Sequence, residues 1–281
     1  MYSVQELCWL LGVSRSGYYS WMRRAESLRS RENKKLVEEM HKIHTDVDRT
    51  YGSPRMHIEL CARGYSCGRH RVAKLMRKNE IIAKMTVRFR LLTKAGKHRP
   101  AADNILERQF QVMNANQVWA SDITYIKTGE GHLYLAVILD LYSRRVVGWG
   151  MSSRLNPELV CKALRQAMGQ REWQPGLLHH SDRDVRYSSD AYQWLLSENG
   201  IKCSMSRKGN CYDNACVESF FSSLKNEYVH FQRFRTREEA RLKIFSWIEI
   251  TYNRMRRHST LGYVSPVDFE KGINYAYNSV H

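Results

Sequence analysis

Residues 117–126 read Gln-Val-Trp-Ala-Ser-Asp-Ile-Thr-Tyr-Ile, and an acid in the middle of this run restricts the fold more than any other feature of the chain. The run alternates as a strand, which puts Asp122 on the same face as Val118, Ala120, Thr124 and Ile126. A carboxylate on a largely apolar face is costly unless it is paired or holds a cation. The fold therefore has to bring a compensating partner to that face.

Two more acids stand in positions that answer this requirement. Asp182 follows the short apolar run Gly176-Leu177-Leu178, then His179, His180 and Ser181. That places it at or just past the carboxyl end of a predicted strand, where α/β sheets commonly gather their ligands. Glu218 comes after 35 intervening residues, in a helix predicted from about Asn214 to Tyr228. The apolar stripe of this helix is Val217, Phe220, Phe221, Leu224 and Tyr228; Glu218 borders it, and Lys225, seven positions on, shares its face. Any single one of the 28 acids is ordinarily a solvated or ion-paired residue. Three in this setting suggest a site where carboxylates hold two divalent ions for phosphoryl transfer. Magnesium suits such a donor set, because it prefers carboxylate, water and phosphate oxygens.

Longer strings surround these acids. They are Trp119-Ala120-Ser121-Asp122-Ile123-Thr124-Tyr125, His180-Ser181-Asp182-Arg183 with Tyr187, and Ser206 to Ala215, followed by Glu218-Ser219-Phe220-Phe221 and Leu224-Lys225. Tyr252-Asn253, Arg256, His258, Leu261-Gly262-Tyr263 and Ser265-Pro266 extend the pattern. Together they resemble insertion-sequence transposases, most closely the OrfB-type protein of bacterial elements that encode transposase in two overlapping frames. That group is a DDE branch of the retroviral-integrase-like superfamily.

The resemblance implies an α/β fold, with an RNase H-like (retroviral integrase-like) catalytic core built on a mixed five-stranded sheet. Helix-turn-helix DNA-binding segments would precede this core. It further implies that Asp122, Asp182 and Glu218 form the metal-binding catalytic triad, with Mg2+ (or Mn2+ in its place), two ions in number, and that Lys225 contacts the DNA end. The implied activity is cleavage at the ends of the element and strand transfer by the exposed 3′-hydroxyl. The alternatives are an RNase H-like nuclease that does not join, and a catalytically silent DNA-binding relic or regulator. The implied partners are terminal-repeat and target DNA, further copies of the chain, and an OrfA product or an OrfA-OrfB fusion. Two positions depart from the family pattern: Ala115 stands where proline is usual, and Asp184 where glycine is common. If the backbone at 184 needed positive φ, aspartate would tolerate it less well than glycine.

The expected elements fit such a core. Strands are expected near Val118–Ile126, His132–Asp140, Arg145–Met151 and Ile201–Met205, with another leading to Asp182. Helices are expected from Pro157 to about Met168 with Asn156 as cap, and from Ser189 to Glu198, stopped by Gly200. Thr236 and Glu239 form a capping-box pattern that opens a long helix toward Tyr252.

Charge points to nucleic acid. The net charge is +17, and residues 1–110 hold 23 Lys and Arg against 11 Asp and Glu. The amino-terminal third thus carries most of the phosphate-binding potential. Within it, Ser3-Val4-Gln5-Glu6 caps a helix running to about Leu11, Gly12 turns the chain, and a second helix runs from Ser14 to about Arg24. A second pair spans Ser53–Cys61 and Gly68–Lys78, joined by the turn Arg63-Gly64-Tyr65. Its later helix presents Arg69, Arg71, Lys74, Arg77 and Lys78, candidates for DNA contact. The plain alternative is a helical bundle with a solvated basic face.

The predicted organisation is a helix-turn-helix segment at 1–28, a second helix-turn-helix-like DNA-binding domain at 29–82 and a basic linker at 83–108. A catalytic core at 109–272 and a tail at 273–281 complete it. The linker carries Arg88, Arg90, Lys94 and Lys97. No apolar run approaches the roughly 20 residues that span a bilayer, and the start does not read as a signal peptide, so a cytoplasmic, nucleoid-associated protein is expected. Seven cysteines without Cys-x-x-Cys suggest reduced thiols. His41, His44, Cys61 and Cys67 lack the spacing of an integrase-type zinc cluster, so no zinc site is expected. His179 or His180 would either orient a phosphate or water or simply pack at the strand end, and Trp119 and Trp149 are expected in the core.

Overall fold

Serines open the first two helices. Ser3 Oγ accepts from the Glu6 N–H at 3.2 Å while Glu6 Oε2 accepts from the Ser3 N–H at 2.7 Å, a reciprocal box that starts α1 (Val4–Leu10). Ser14 Oγ accepts from the Gly17 N–H and starts α2 (Arg15–Met22). The computed structural model describes residues 2–84, 102–107, 112–207 and 214–273. Most of the predicted basic linker, residues 208–213 of the Ser206–Ala215 string, and residues 274–281 of the predicted tail lie outside the described residues. The chain divides into two units, 1–83 and 84–281.

In the first unit, the α1–α2 pair has the expected spacing but little core of its own. Only Cys8 is a buried apolar side chain in it, whereas Trp9 (84%) and Trp21 (67%) are largely exposed. The core of the unit is built by α3 (Leu28–Asp46), α4 (Ser53–Ala62) and α5 (Arg69–Lys78). The long α3 was not anticipated from the sequence. Leu36, Met40 and Ile43 line its inner face at helical spacing and meet Met56 and Leu60 of α4 and Val72, Leu75 and Met76 of α5. Arg63, at the end of α4, ties the bundle electrostatically, reaching Glu39 at 2.8 Å, Asp46 at 2.9 Å and Glu59 at 3.3 Å.

In the second unit, β1 (Val118–Thr128), β2 (Gly131–Asp140), β3 (Val146–Ser152), β4 (Leu178–Ser181) and β5 (Lys202–Met205) form one sheet in the order β3-β2-β1-β4-β5. The first three strands are antiparallel neighbours, and β4 and β5 run parallel to β1, the mixed five-stranded arrangement expected. One sheet face is covered by α6 (Pro157–Gln170) and α7 (Asp190–Glu198), which enclose Trp119, Ile138, Leu164 and Tyr192. α6 lies so near β3 that a Cβ at Gly150 would fall 2.6 Å from the Leu159 carbonyl oxygen, which explains glycine in mid-strand.

The other face is covered by α8 (Ala215–Glu227), α9 (Arg237–Ser246) and a π-helical segment, Trp247–Met255. The expected single long helix from Thr236 toward Tyr252 is thus two windings. The second lets Asn253 turn inward, where its side chain donates to the Val146 carbonyl and accepts from the Val146 N–H, both at 3.0 Å. The capping box is also displaced. Thr236 accepts from the Glu239 N–H as expected, but Glu239 Oε2 accepts from Arg235, one residue before the cap.

At the opposite end of β2 from its turn, buried Asp140 lies 3.4 Å from Arg171, which also holds Glu270 at 2.8 Å. Glu270, in α10 (Pro266–Glu270), is bound in addition by Arg145 and Ser143.

Candidate active site

The sheet register brings the two aspartates together. β1 and β4 are parallel, with Ser121 opposite Ser181, so Asp122 and Asp182 are the residues that follow this pair on the two neighbouring strands' paths. Asp122 lies on the face of Ala120 and Ile126, toward α8, as the alternation predicted. Burial raises its carboxyl well above the usual range; Asp182, Glu218 and Asp184 push the same way, against the Ile123 N–H that donates to Oδ1 at 2.7 Å. Asp182 is raised to about 6 by burial and by Asp184, whose own N–H donates to Asp182 Oδ1 at 3.0 Å.

Glu218 arrives from α8. The helix is seated by Val217, Phe220, Phe221 and Leu224, and its first residue follows Asn214, whose Nδ2 donates to the Ser121 carbonyl at 3.1 Å. That bond fixes the start of the helix beside Asp122. Burial raises the Glu218 carboxyl. At the far end of α8, Arg256 grips Glu227 through two nitrogens at 2.6 and 2.7 Å and reaches Ser223 at 3.0 Å. Phe220 packs edge-on against Tyr252, 4.7 Å between centroids. Tyr252, Asn253 and Arg256 of the carboxyl-terminal motif are therefore supports of the Glu218 helix and its surroundings. Lys225 lies with its ammonium 5.5 Å from the centre of the Tyr125 ring; burial lowers its pKa while Asp122 opposes the change.

The structure therefore gathers Asp122, Asp182 and Glu218, with Lys225 electrically close to Asp122. Asp184 joins them and is paired with Arg186. Its φ is not positive, so aspartate is unstrained there; its consequence is an added negative charge. Among the described residues, four carboxylates stand against the cations of Lys225 and Arg186. Partly exposed, hard-oxygen donors in such a cluster fit divalent cations of the magnesium class.

Both neighbouring histidines are packing residues. His180 is buried between the hydroxyls of Ser204 (2.9 Å) and Ser206 (3.1 Å), while His179 contacts the Tyr192 hydroxyl at 2.9 Å. Burial lowers the pKa of His179 to about 3, so it stays neutral. Trp119 is fully buried, and Trp149 is half-buried, donating from Nε1 to Glu249 at 2.9 Å. Asn214 could be read from the sequence only as a motif member, and Asp184 only as a departure from the family pattern; no periodic signal marks their contacts.

In the amino-terminal unit, Arg69, Lys74, Arg77 and Lys78 are exposed on α5, opposite its buried Val72, Leu75 and Met76. Arg71 differs from them. Its guanidinium donates to Asn33 at 2.8 Å and to Glu32 at 3.0 Å, fastening α5 to α3.

Comparison with known proteins agrees with this architecture. Two family models described as "Integrase core domain" match residues 113–211 and 199–266, and one described as "HTH-like domain" matches residues 30–89. The insertion element IS600 uncharacterized 31 kDa protein of Shigella sonnei is 43% identical over 265 residues, covering 94% of this chain and 97% of that protein. The transposase InsF for insertion sequence IS3A of Escherichia coli (strain K12) is 41% identical over 271 residues, 96% of this chain and 94% of its own length. A chain of the simian T-cell lymphotropic virus intasome, in complex with PP2A regulatory subunit B56 gamma, aligns with a TM-score of 0.48 at 14% identity. That alignment covers 84% of this chain and 76% of the other.

Proposed function

The chain belongs to the insertion-sequence transposases with an integrase core domain, and from that premise we propose that Asp122, Asp182 and Glu218 are the carboxylates with which it cuts and joins DNA. The observation that carries the assignment is that acids from β1, the end of β4 and α8 lie close enough for their charges to raise the pKa of Asp122 and Asp182. The overall reaction would be two phosphoryl transfers, a hydrolysis followed by a transesterification. Water first displaces a 3′ oxygen at the end of the element; the hydroxyl so exposed then displaces a 3′ oxygen in target DNA.

Asp122, Asp182 and Glu218 would hold the cations, magnesium with manganese as substitute, and two in number. When bound, such ions supply Lewis acidity at the attacking and leaving oxygens of an in-line displacement. The protein's own part is placement. Asn214 and Arg256 hold the Glu218 helix against the sheet, so the carboxylates are arranged before DNA arrives and little reorganisation remains for the reaction itself. Lys225 would take a DNA phosphate, and the exposed cations of α5 would hold the duplex.

Two element ends have to be joined in one event, so the reading includes more than one copy of the chain in the complex. It also includes an OrfA product or an OrfA-OrfB fusion contributing to end recognition. No described helix is long and apolar enough to cross a membrane.

The test is a magnesium-dependent cleavage and joining assay on DNA bearing the element's ends, with and without the OrfA product. Wild type should yield joined products. Glu218→Gln should bind the same DNA and yield none. Cleavage without joining by wild type would reduce the protein to a nuclease, and binding without either reaction would make it a silent DNA-binding protein.

A further inference from the structure

Outside the carboxylate cluster, another set of metal-ligating side chains meets in the amino-terminal unit. His57 and Cys61 are four residues apart on α4 and so share a face. The helix ends at Ala62, and Gly64, at φ +86°, reverses the chain. The Tyr65 N–H then donates to the Leu60 carbonyl at 3.0 Å, which folds the following turn back along the helix and returns Cys67 to the same face. Ligand atoms of His57, Cys61 and Cys67 consequently all lie within 4.8 Å of one another.

The geometry points to a transition-metal site, His57–Cys61–Cys67, that takes a Zn2+-class cation at the turn between α4 and α5. Two sulfurs and an imidazole are soft to borderline donors, which select zinc-like ions over magnesium. Bond lengths of about 2.3 Å to sulfur and about 2.0 to 2.1 Å to nitrogen place tetrahedral ligands about 3.6 to 3.8 Å apart. Cys61 Sγ and His57 Nε2 already stand 3.6 Å apart. The His57 ring is oriented by the Cys67 carbonyl, 2.8 Å from Nε2, so binding would exchange that hydrogen bond for a metal bond.

Cys67 is half-buried, and burial together with the neighbouring Cys61 holds its thiol up at about 11 against the weaker pull of Arg71; binding would release its proton. Cys61 is exposed, leaving a fourth position for solvent. The ion would clamp the end of α4 to the turn that leads into α5, the helix carrying Arg69, Lys74 and Arg77. His57, one helical turn before Cys61 on α4, is the histidine that joins Cys61 and Cys67, in place of His41 or His44.

The full chain, reduced and stripped of metal, would be titrated with Co2+, and thiolate-to-cobalt charge-transfer absorption followed, with Zn2+ as competitor. The expected result is one equivalent bound with sulfur charge-transfer bands that Zn2+ displaces. The bands should be lost in Cys61→Ser and in Cys67→Ser. They should persist in Asp122→Asn, because oxygen ligands of the carboxylate cluster give no sulfur bands. Circular dichroism of the exposed-site variant Cys61→Ser without metal establishes that its fold is intact. Absence of sulfur bands in the wild type, or bands unchanged in Cys61→Ser or Cys67→Ser, would overturn the assignment.

Discussion

Replacing Asp182 with asparagine should make the metal-free protein more stable, although it removes a proposed catalytic group. Asp182 has a folded pKa of about 6 against an ordinary value of 3.8. At pH 7.5 the folded state must therefore keep a carboxylate charged that it would prefer to protonate. The difference between the two values, at 1.36 kcal/mol per pH unit, corresponds to about 3 kcal/mol of destabilisation. Solvent access to the partly exposed side chain reduces this, so the expected gain for Asp182→Asn is roughly 1 to 3 kcal/mol. Asparagine also keeps an oxygen for the Asp184 N–H. The sign follows from linkage. Between pH 3.8 and 6 the folded state binds more protons than the unfolded one, so wild-type stability falls as pH rises through this window and stays low above it. The advantage of the variant should accordingly be full at pH 7.5 and should vanish toward pH 4. Urea unfolding in chelator, read by hydrogen exchange of β1 and β4 so that the catalytic unit is seen alone, measures the difference. Adding magnesium should then stabilise wild type more than the variant, because only the folded carboxylates bind the ion. A variant less stable than wild type in chelator at pH 7.5, or a gap that does not change with pH, would refute the reasoning.

Alanine at Arg69, Lys74 and Arg77 together should weaken binding to all DNA sequences and lower the slope of log affinity against log salt by up to about 0.9 per lost phosphate contact, measurable by fluorescence anisotropy. Arg71→Ala should instead lower the thermal stability of the helical unit, since it removes the bonds to Glu32 and Asn33. Gly150→Ala should destabilise the catalytic unit by about 1 to 3 kcal/mol in urea unfolding, because α6 leaves no room for a Cβ.

The sheet and its acids were legible because strand alternation and the apolar stripe of the Glu218 helix are local patterns. Asp122 and Glu218 sit on the elements assigned to them, and Asp182 is the residue that follows β4. What escaped the sequence depends on contacts between distant segments. α3 was missed because its 19 residues are mostly polar, with only Leu36, Met40 and Ile43 marking the inner face along with Glu39. The winding change at Trp247 was missed because its cause, Asn253 reaching across to Val146, spans 107 positions. A helix pattern shows Arg71 beside Arg69, Lys74 and Arg77 but does not reveal that Glu32 and Asn33 lie next to it. His57 was overlooked for a similar reason: the turn at Gly64, not the spacing, brings Cys67 to it.

The ion network at Glu270 bears on when the catalytic unit can finish folding as the chain is synthesised. Its core strands are made well before residue 270, yet Arg145 and Arg171 both wait for that carboxylate while Arg171 sits against buried Asp140. A nascent or prematurely ended chain lacking α10 would keep two guanidiniums with one buried acid, a partly dry and unbalanced set of charges. Such a chain would open readily at that corner and be exposed to proteases. The network thereby makes the Asp140 corner of the sheet depend for its charge balance on a carboxylate 99 positions beyond Arg171.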